Sequence, residues 1–500
     1  MPDRLEDTVA RTASRKEILE GPIIRTMFRL AWPLMISSLL HYLYNMADTF
    51  WVGHLPVSEN ASAVAGLQIA GPVIFFLMAF AFGFNSGGLA LVSQYMGAHR
   101  KEEANTAAAK TLSLSIVFGL FIMVTGVIFS PALLRLLTSD PAVARAGTVY
   151  TRIIFIGMPF EFVAAAYAQV MAAYGDTITP MVVNLTTVLA NIVLDPFMIF
   201  GWGPFARMTV AGAALATIIC QAIAATISLI ILFRGRHGLH VSWRDLVPDW
   251  FWYRRILKIG LPASIGVSGT SFGFLVLTGI IGRVSNATIA LSAYGIGDRF
   301  INISFIAIDG LSLAISTMIG HALGGDLRKR ANRVVWTGTA LMFGLLVGEA
   351  VLLWVLTPWL FRAFIPTQPA IISEGILFMS LFLPSMPFFG IVCGVQSAFQ
   401  GSGHNTPPMI MQLVRLWGLR VPLSWFFGFA MHMGSRGIWI GMLISNLLAA
   451  VLALIFLATV DWHHKVIEHT PMLAEMAGET GTPELVPTPI EPGVEVDDRP

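Results

Sequence analysis

The sequence predicts an all-α integral membrane protein with twelve transmembrane helices in two six-helix lobes related by an internal parallel repeat. Three observations predict this fold class. The chain has 500 residues, of which 55% are hydrophobic and only 12% charged, about half the charge of a soluble domain. Twelve apolar runs reach the length of about 20 residues that a helix needs to cross a bilayer. Motifs in the first six runs also recur in the last six.

Each apolar run is interpreted as one span. Spans two and eight are long and interrupted by glycine, which predicts kinked helices with amphipathic ends. In order, the predicted spans cover residues 27–53, 61–96, 105–131, 147–173, 178–201, 210–233, 256–282, 287–323, 334–357, 372–400, 407–432 and 437–461.

The spans divide the chain into five parts. A cytoplasmic N-terminal segment (1–26) precedes the N-lobe (27–233), and a basic, tryptophan-containing connector (234–255) leads to the C-lobe (256–461). The aromatic residues of the connector suit the membrane interface. The cytoplasmic tail (462–500) is rich in proline, glutamate and threonine, has little to bury, and is expected to be disordered.

Lysine and arginine set the predicted orientation. With the N-terminus inside, the inner segments and the inner ends of the spans hold 21 of these residues, and the outer segments hold six. An even number of spans then places both termini in the cytoplasm. The N-terminal segment has no cleavable signal pattern, so the first span is expected to act as the insertion signal. We expect a multi-pass protein of the plasma membrane, embedded in the lipid bilayer as a monomer.

Composition and motifs exclude several other classes. The net charge of +2 gives no reason to expect a nucleic-acid partner. Cys220 and Cys393 both fall within predicted spans, so neither a disulfide framework nor a cysteine metal site is expected. The sequence has no Walker A, HExxH, CxxC or GxSxG pattern. We therefore expect neither an ATP-driven pump nor an enzyme, and no cofactor beyond a coupling ion.

The repeat is carried by paired residues at an offset of 227 to 229. The pairs include Pro33 with Pro262, Gly97 with Gly324, and Gly175 with Gly403. Six spans separate the copies, so both halves have the same orientation and are related by an axis along the membrane normal. Transporters built in this way bind substrate between or within the halves and alternate access by rocking.

Two carboxylates lie at matched depth in the N-terminal half. Asp48 precedes Gly53 by five residues in span one, and Asp195 precedes Gly201 by six in span five. An intramembrane acid costs about 2.5–3.5 kcal/mol at mid-membrane unless it faces protein or water, so such acids mark pathways. Two close carboxylates rarely stay ionised together. The pair is predicted to carry a proton, or to bind Na⁺ with help from Asn191.

Two further side chains share the helix faces of these acids. Tyr44 lies four residues before Asp48, and Asn191 lies four residues before Asp195. Residues four apart are neighbours on a helix surface. We expect both side chains to tune the coupling-ion site by hydrogen bonds.

The second half has no acid at the matching positions. Asp48 matches Leu277 at an offset of 229, and Asp195 matches Leu423 at an offset of 228. A structural role shared by both halves would require acids in both, so the asymmetry favours function. The structural alternative is that Asp48 caps an outer helix end and that Asp195, followed by Pro196, lies at a kink.

Other residues in the spans are secondary candidates. Pro33 interrupts the first helix and is predicted to let it bend. Glu161 is interpreted either as a second ion site or as the cap of a kink. Asp309, in the middle of span eight, is likewise interpreted either as a second proton site or as the cap of a kink at glycine. Arg415 and Arg420 either line a C-lobe cavity or snorkel to the inner side, for which Arg420 is too deep.

Several stretches resemble the multidrug and toxic compound extrusion (MATE) family of antiporters over about residues 20–460. They are WPLMISSLLHYLYNMADTFWVGHL, SQYMGAHRKEEAN, GDTITPMVVNLTTVLANIVLDPFMIFG with GAALAT, and, in the second half, GHALGGDLRKRAN and GIWIGMLISN. Tyr44, Asp48, Asn191 and Asp195 together resemble the DinF-type branch, which implies proton or sodium coupling at N-lobe acids. The resemblance also implies that Thr217, within GAALAT, lies near the cation site.

These observations predict a secondary active multidrug efflux transporter. It would export organic, cationic amphipathic compounds by antiport with H⁺ or Na⁺, alternating access between two lobes. One alternative is a flippase for lipid-linked oligosaccharides of the same superfamily, against which the N-lobe acids argue. The other is a non-transporting membrane scaffold or receptor, against which paired intramembrane acids on a twofold repeat argue.

Overall fold

The protein is helical throughout the part of the chain that its computed structural model describes, which is residues 13–53, 74, 78, 82–138, 140–235 and 238–467. Side chains of residues 45–50 fall outside this description. The helices are α1 (Arg15–Glu20), α2 (Ile23–Gly53), α3 (82–97), α4 (Lys101–Leu137), α5 (Pro141–Tyr174), α6 (Ile178–Phe200), α7 (Val210–Arg234), α8 (Trp250–Ile281), α9 (Ala287–Gly324), α10 (Arg328–Phe364), α11 (Pro369–Phe382), α12 (Met386–Ser402), α13 (Thr406–Leu413), α14 (Val421–Trp425) and α15 (Gly434–Thr459).

Ten helical segments of the described chain are long and apolar enough to cross a bilayer. They correspond to predicted spans one, three to ten and twelve, with α11 and α12 forming span ten around a 3₁₀ turn at Leu383–Ser385. Span eleven runs through α13 and α14, which are joined and followed by π-helical stretches at Val414–Arg420 and Phe426–Ala430. Of span two, α3 and the separate residues 74 and 78 lie within the described part of the chain.

The two halves pack their helices in the same pattern. In the first half α2 packs on α6, α4 on α5, and α7 on both α5 and α6. In the second half α8 packs on α13, α10 on α11 and α12, and α15 on both α12 and the span of α13 and α14. Since these are corresponding pairs of spans, the internal repeat predicted from paired residues is a repeat of structure.

Two repeated glycines end corresponding helices. Gly175 follows α5 with φ of +101°, and Gly403 follows α12 with φ of +79°. Glycine adopts these left-handed conformations without the steric cost that a β-carbon brings, which explains why both halves carry it here.

The lobes meet through small residues at pseudo-equivalent places. Gly83 of α3 lies against the backbone of Gly260 of α8. In the other half, Gly310 of α9 lies against Ala31 and Met35 of α2, where a β-carbon on Gly310 would come within 3.0 Å of the Ala31 carbonyl oxygen. Small residues allow two membrane helices to approach this closely. Gly97 and Gly324 extend the interface at the predicted cytoplasmic ends of α3 and α9.

An N-terminal strap, α1, contacts both lobes on the predicted cytoplasmic side. The Arg15 guanidinium donates to the backbone carbonyl of Met96 at the end of α3, with Nε 3.0 Å from the oxygen. From the C-lobe, Arg330 Nε donates to the Ile18 carbonyl at 2.9 Å. Ile18, within the strap, is itself buried.

The start of the predicted disordered tail is packed against the protein, which corrects the boundary at residue 462. Trp462 is buried. The Val466 backbone N–H donates to Gln94 Oε1 of the N-lobe, and its carbonyl accepts from Arg255 Nη2 of the C-lobe, both at 3.0 Å. Burial of the Trp462 indole removes apolar surface from water, which favours packing of this segment. The composition of the tail as a whole did not indicate this contribution. Residues 468–500 lie outside the described chain.

The helices also begin earlier than the apolar runs predict. The first starts at Ile23 instead of 27, and the seventh starts at Trp250 instead of 256. Polar and aromatic residues at the membrane interface extend a helix beyond its hydrocarbon-spanning part, so hydropathy alone places the ends too far inward.

Candidate functional site

A buried amide and carboxylate form the centre of the N-lobe site. Asn191 and Asp195 are both fully buried on α6. Asn191 Nδ2 donates to Asp195 Oδ1 at 3.2 Å, as their spacing of four residues predicts. The Asn191 carbonyl oxygen is buried and accepts no hydrogen bond from the described residues. The Asn191 carbonyl oxygen therefore keeps acceptor capacity for a cation.

The first span runs alongside this helix. Near its inner end, Asn184 Nδ2 of α6 donates to the Ser37 carbonyl of α2 at 3.2 Å. Near its outer end, the Trp51 ring meets the Phe200 ring edge-on, with centroids 6.2 Å apart. Two contacts in the same chain order show that α2 and α6 lie parallel and in register.

This register brings the main chains of the two predicted coupling acids to similar depth. Asp48 precedes Trp51 by three residues, and Asp195 precedes Phe200 by five. At about 1.5 Å of rise per residue, the difference is less than one helical turn. The side chain of Asp48 lies outside the described residues, so its contact with Asp195 and a shared Na⁺ site remain predictions.

A histidine that the sequence reasoning missed lies beside Tyr44. The Tyr44 ring stacks on His41 with centroids 6.1 Å apart, and its hydroxyl is buried. His41 interacts electrostatically with Glu161 on α5, although Glu161 lies 120 residues away in sequence. The sequence signal that could have revealed His41 is its position three residues before Tyr44, on the same helix face. The role of Glu161 as a second ion site stays a prediction.

Thr217 is buried on α7, which packs against α6. Its hydroxyl donates to the Ala213 carbonyl of its own helix at 3.0 Å. The single hydroxyl hydrogen is thus used locally. The hydroxyl oxygen keeps its lone pairs, and the place of Thr217 near a cation site stays a prediction.

Pro33 lies inside an uninterrupted helix and is buried. Proline has no N–H, so the carbonyl of Arg29 loses its intrahelical donor. The neighbouring residues Ala31 and Met35 are the ones that face Gly310 of the other lobe. The predicted hinge therefore lies in the interface between the lobes.

The C-lobe acids lie apart from the N-lobe pair. Asp309 is exposed beside Gly310, next to the interface. Asp298 is half-buried and accepts from Asn302 Nδ2 at 3.0 Å, so its partner is this amide one turn away and not the neighbouring Arg299. Both halves thus contain an amide that donates to a carboxylate. The Asn191–Asp195 pair of the N-lobe differs from the Asn302–Asp298 pair of the C-lobe in being completely buried.

Arg420 is buried within the C-lobe and does not snorkel. Its Nε donates to Ser445 Oγ at 3.1 Å, and its Nη2 donates to Asn446 Oδ1. Asn446 in turn donates to Ser385 at 2.9 Å. The sequence allowed two interpretations of Arg420, as a residue that lines a cavity or as one that snorkels to the inner side. The structure places it among neutral hydrogen-bond partners.

The MatE family model matches the chain twice, over residues 33–197 and 262–426. The matches are offset by 229 residues and begin at Pro33 and Pro262, the prolines that the sequence repeat pairs. The chain belongs to the MatE family. MatE proteins are membrane transporters, so this chain is a multi-pass membrane transporter.

Curated relatives align over nearly the whole MatE chain. A probable multidrug resistance protein NorM of Thermotoga maritima is 27% identical over 450 residues, which are 90% of this chain and 95% of the relative. The multidrug export protein MepA of Staphylococcus haemolyticus is 26% identical over 404 residues, covering 79% and 85% of the two chains. The predicted membership of the MATE family is confirmed, and the DinF-like branch stays a prediction.

Solved structures show the same fold. An outward-facing multidrug resistance MATE family transporter of the MOP superfamily superposes with a TM-score of 0.82 at 23% identity, covering 89% of this chain and 97% of that chain. A MATE structure in the bent conformation also gives 0.82, at 22% identity, covering 94% and 99%. The predicted twelve-helix arrangement in two lobes is confirmed.

Proposed function

We propose that this MatE protein is a multidrug exporter of the plasma membrane, with both termini in the cytoplasm. It moves organic, cationic amphipathic compounds outward in exchange for inward H⁺ or Na⁺. Names of the relatives, a multidrug resistance protein and a multidrug export protein, support the substrate class. Asp195 and Asn191, together with Asp48, hold the coupling ion.

The observation that carries this proposal is the complete burial of Asn191 and Asp195 in a transmembrane helix. An ionised carboxylate in such a place is costly unless a cation neutralises it. The same negative charge attracts a cationic substrate. Because one carboxylate does not fully neutralise two cations, loading the ion weakens substrate binding, which is the reciprocal coupling that antiport needs.

The Asn191 amide can assist either coupling ion. It presents its NH₂ group to Asp195, with Nδ2 3.2 Å from Oδ1, and this hydrogen bond stabilises the ionised carboxylate after a proton has left. Its carbonyl oxygen accepts no hydrogen bond from the described residues, so it is available as an oxygen ligand for Na⁺.

Contacts between the lobes suit an outward-opening state. The glycine contacts of Gly97, Gly310 and Gly324 all lie in the predicted inner half of the helices. A twofold transporter that is sealed on the inner side alternates by separating these contacts. The strap α1 bridges the same side, so it also has to yield when the inner side opens.

Transport in proteoliposomes tests the proposal, with a pH gradient and a sodium gradient imposed separately. The cationic dye rhodamine 123 is the substrate. We expect the pH gradient to drive dye movement by the wild-type protein and Asp195→Asn to remove the drive. Dye affinity should rise with pH in the wild type, because a proton competes for the carboxylate, and flatten in Asp195→Asn. Dye movement that neither gradient drives would overturn the proposed antiport.

A further inference from the structure

Two buried arginines lie in the middle of the C-lobe without a carboxylate partner. Arg415 and Arg420 belong to the π-helical stretch Val414–Arg420, and only 6% and 2% of their surfaces are exposed. Neither forms an ion pair within the described chain. π-Helical segments within α-helical spans are rare and concentrate at functional sites.

Depth rules out neutralisation by the membrane surface. Arg415 follows the first residue of α13, Thr406, by nine positions. At about 1.5 Å per residue this places it roughly 14 Å into a hydrocarbon layer about 30 Å thick. An arginine at mid-membrane is costly, and such charges almost always face a cavity or a partner.

Arg420 is held by neutral groups. Its hydrogen bonds go to Ser445 and Asn446, and its Cζ lies 5.8 Å from the Phe274 ring and 5.7 Å from the Phe382 ring. These contacts fix the guanidinium and leave its positive charge uncompensated. Asp298 acts on it only at longer range, without a hydrogen bond.

Arg415 is held less completely. Its Cζ lies 4.6 Å from the centroid of the Phe389 ring. Its Nε is fully buried and has no acceptor among the described residues. A buried donor without an acceptor costs about 1–3 kcal/mol, and more when it is charged. Asp309 influences the neighbouring Cys393 electrostatically but forms no hydrogen bond with Arg415.

The repeat shows that the lobes have opposite polarity here. At the offset of 228 that aligns Asp195 with Leu423, Arg415 matches Thr187 and Arg420 matches Ile192 in α6. The N-lobe helix carries the Asp195 carboxylate, whereas the corresponding C-lobe helix carries two guanidinium groups. The two corresponding helices therefore differ in the sign of their buried charge.

We propose that Arg415, with Arg420 behind it, binds the carboxylate or sulfonate group of an aromatic substrate, whose ring packs on Phe389. A guanidinium binds two oxygen atoms of such an anion through two parallel hydrogen bonds. In transport, this site would hold the acidic group of a zwitterionic substrate. This consequence for transport rests on the proposed export function, whereas the anion site itself does not.

Sodium benzoate tests the anion site directly, with neutral benzamide as its matched control. Purified protein in nanodiscs is titrated with each while thermal unfolding is measured, in a buffer of constant sodium concentration. Benzoate should stabilise the wild type saturably and benzamide should not. Arg415→Met should weaken benzoate binding about tenfold or more, because a charge-assisted hydrogen bond is lost. Arg415→Lys should retain part of the effect.

Arg436→Met is the charge-matched control, since Arg436 is exposed on the next span. Arg415→Met should fold, because replacing an unpaired buried charge with an apolar side chain relieves its desolvation cost. An absent benzoate effect in the wild type, or equal effects in Arg415→Met and Arg436→Met, would overturn the anion site.

A dye pair separates this proposal from the export function. Rhodamine 123 is a cationic methyl ester, and rhodamine 110 is the corresponding free acid. Arg415→Met should lose transport of rhodamine 110 and keep transport of rhodamine 123. If the wild type moves rhodamine 123 but never rhodamine 110, the transport consequence fails and export stands. If it moves neither dye, the export proposal fails, and the benzoate result still decides the anion site.

Discussion

Gly97 and Gly324 occupy equivalent positions in the two halves, and each packs against a backbone carbonyl of the helix that carries the other. Gly97 lies on the carbonyl of His321, and Gly324 lies on the carbonyl of Gln94. Gln94 and His321 are themselves 227 residues apart, as the glycines are. The contact is therefore twofold in form, and both lobes contribute equally to the seal on the predicted cytoplasmic side.

A β-carbon at either glycine should weaken this seal. Gly97→Ala or Gly324→Ala places a methyl group against backbone that cannot move aside, and overpacking of this kind costs about 1–3 kcal/mol. The closed form should lose population relative to the open form by roughly five- to one-hundredfold. Spin labels on Lys101→Cys and Arg328→Cys, measured by pulsed electron resonance, should show a longer mean distance in both variants.

Gly344→Ala is the matched control, because a β-carbon on Gly344 meets no atom within 4 Å. It should leave the distance distribution of the wild type unchanged. Identical distributions in Gly97→Ala, Gly324→Ala and Gly344→Ala would show that the glycine contacts do not hold the lobes together.

The buried N-lobe pair should be required for coupling. Asp195→Asn should abolish gradient-driven efflux, and Asn191→Leu should reduce it at least tenfold, because the carboxylate loses its amide donor. Asp48→Asn should also abolish coupled efflux while the protein still inserts. Initial rates in proteoliposomes at matched protein content provide the measurement.

Asp298→Asn serves as the control for these variants. It alters a carboxylate that also accepts an amide hydrogen bond, from Asn302, but in the C-lobe and only half-buried. Coupled efflux should persist in it. Loss of coupling in Asp298→Asn with normal coupling in Asp195→Asn would move the ion site to the C-lobe.

Pro33 should matter more than its repeat partner. Pro33→Ala restores a helix hydrogen bond to the Arg29 carbonyl and stiffens α2, so the transport rate should fall several-fold without loss of thermal stability. Pro262→Ala makes the same chemical change in α8, whose helix carries no acid, and should have a smaller effect. Equal rates for both variants would remove the special role of the first span.

The predicted orientation can be tested with cysteine labelling in intact cells. Cys220 and Cys393 are both buried, so background labelling should be low. A membrane-impermeant thiol reagent should miss Thr480→Cys in the tail and label Ala206→Cys, an exposed residue of a predicted outer loop. Labelling of the tail from outside would reverse the topology of the whole chain.

The sequence by itself determined the fold class, most of the spans and the repeat. Apolar runs must form helices in lipid, because the backbone there has no other source of hydrogen bonds, so hydropathy predicts spans directly. The Asn191–Asp195 contact was predictable for the same local reason, since residues four apart share a helix face. Paired prolines and glycines predicted the twofold arrangement before any contact was known.

Only the tertiary structure decided which side chains from different helices meet. Asn184 donates to the Ser37 carbonyl, 147 residues away in sequence, and the unpaired donor of Arg415 depends on what surrounds it. The packed Trp462 likewise contradicted a tail whose composition predicted disorder. The local sequence pattern determines which face of a helix is polar. The partner of that face is set by the packing of distant helices, which no local spacing encodes.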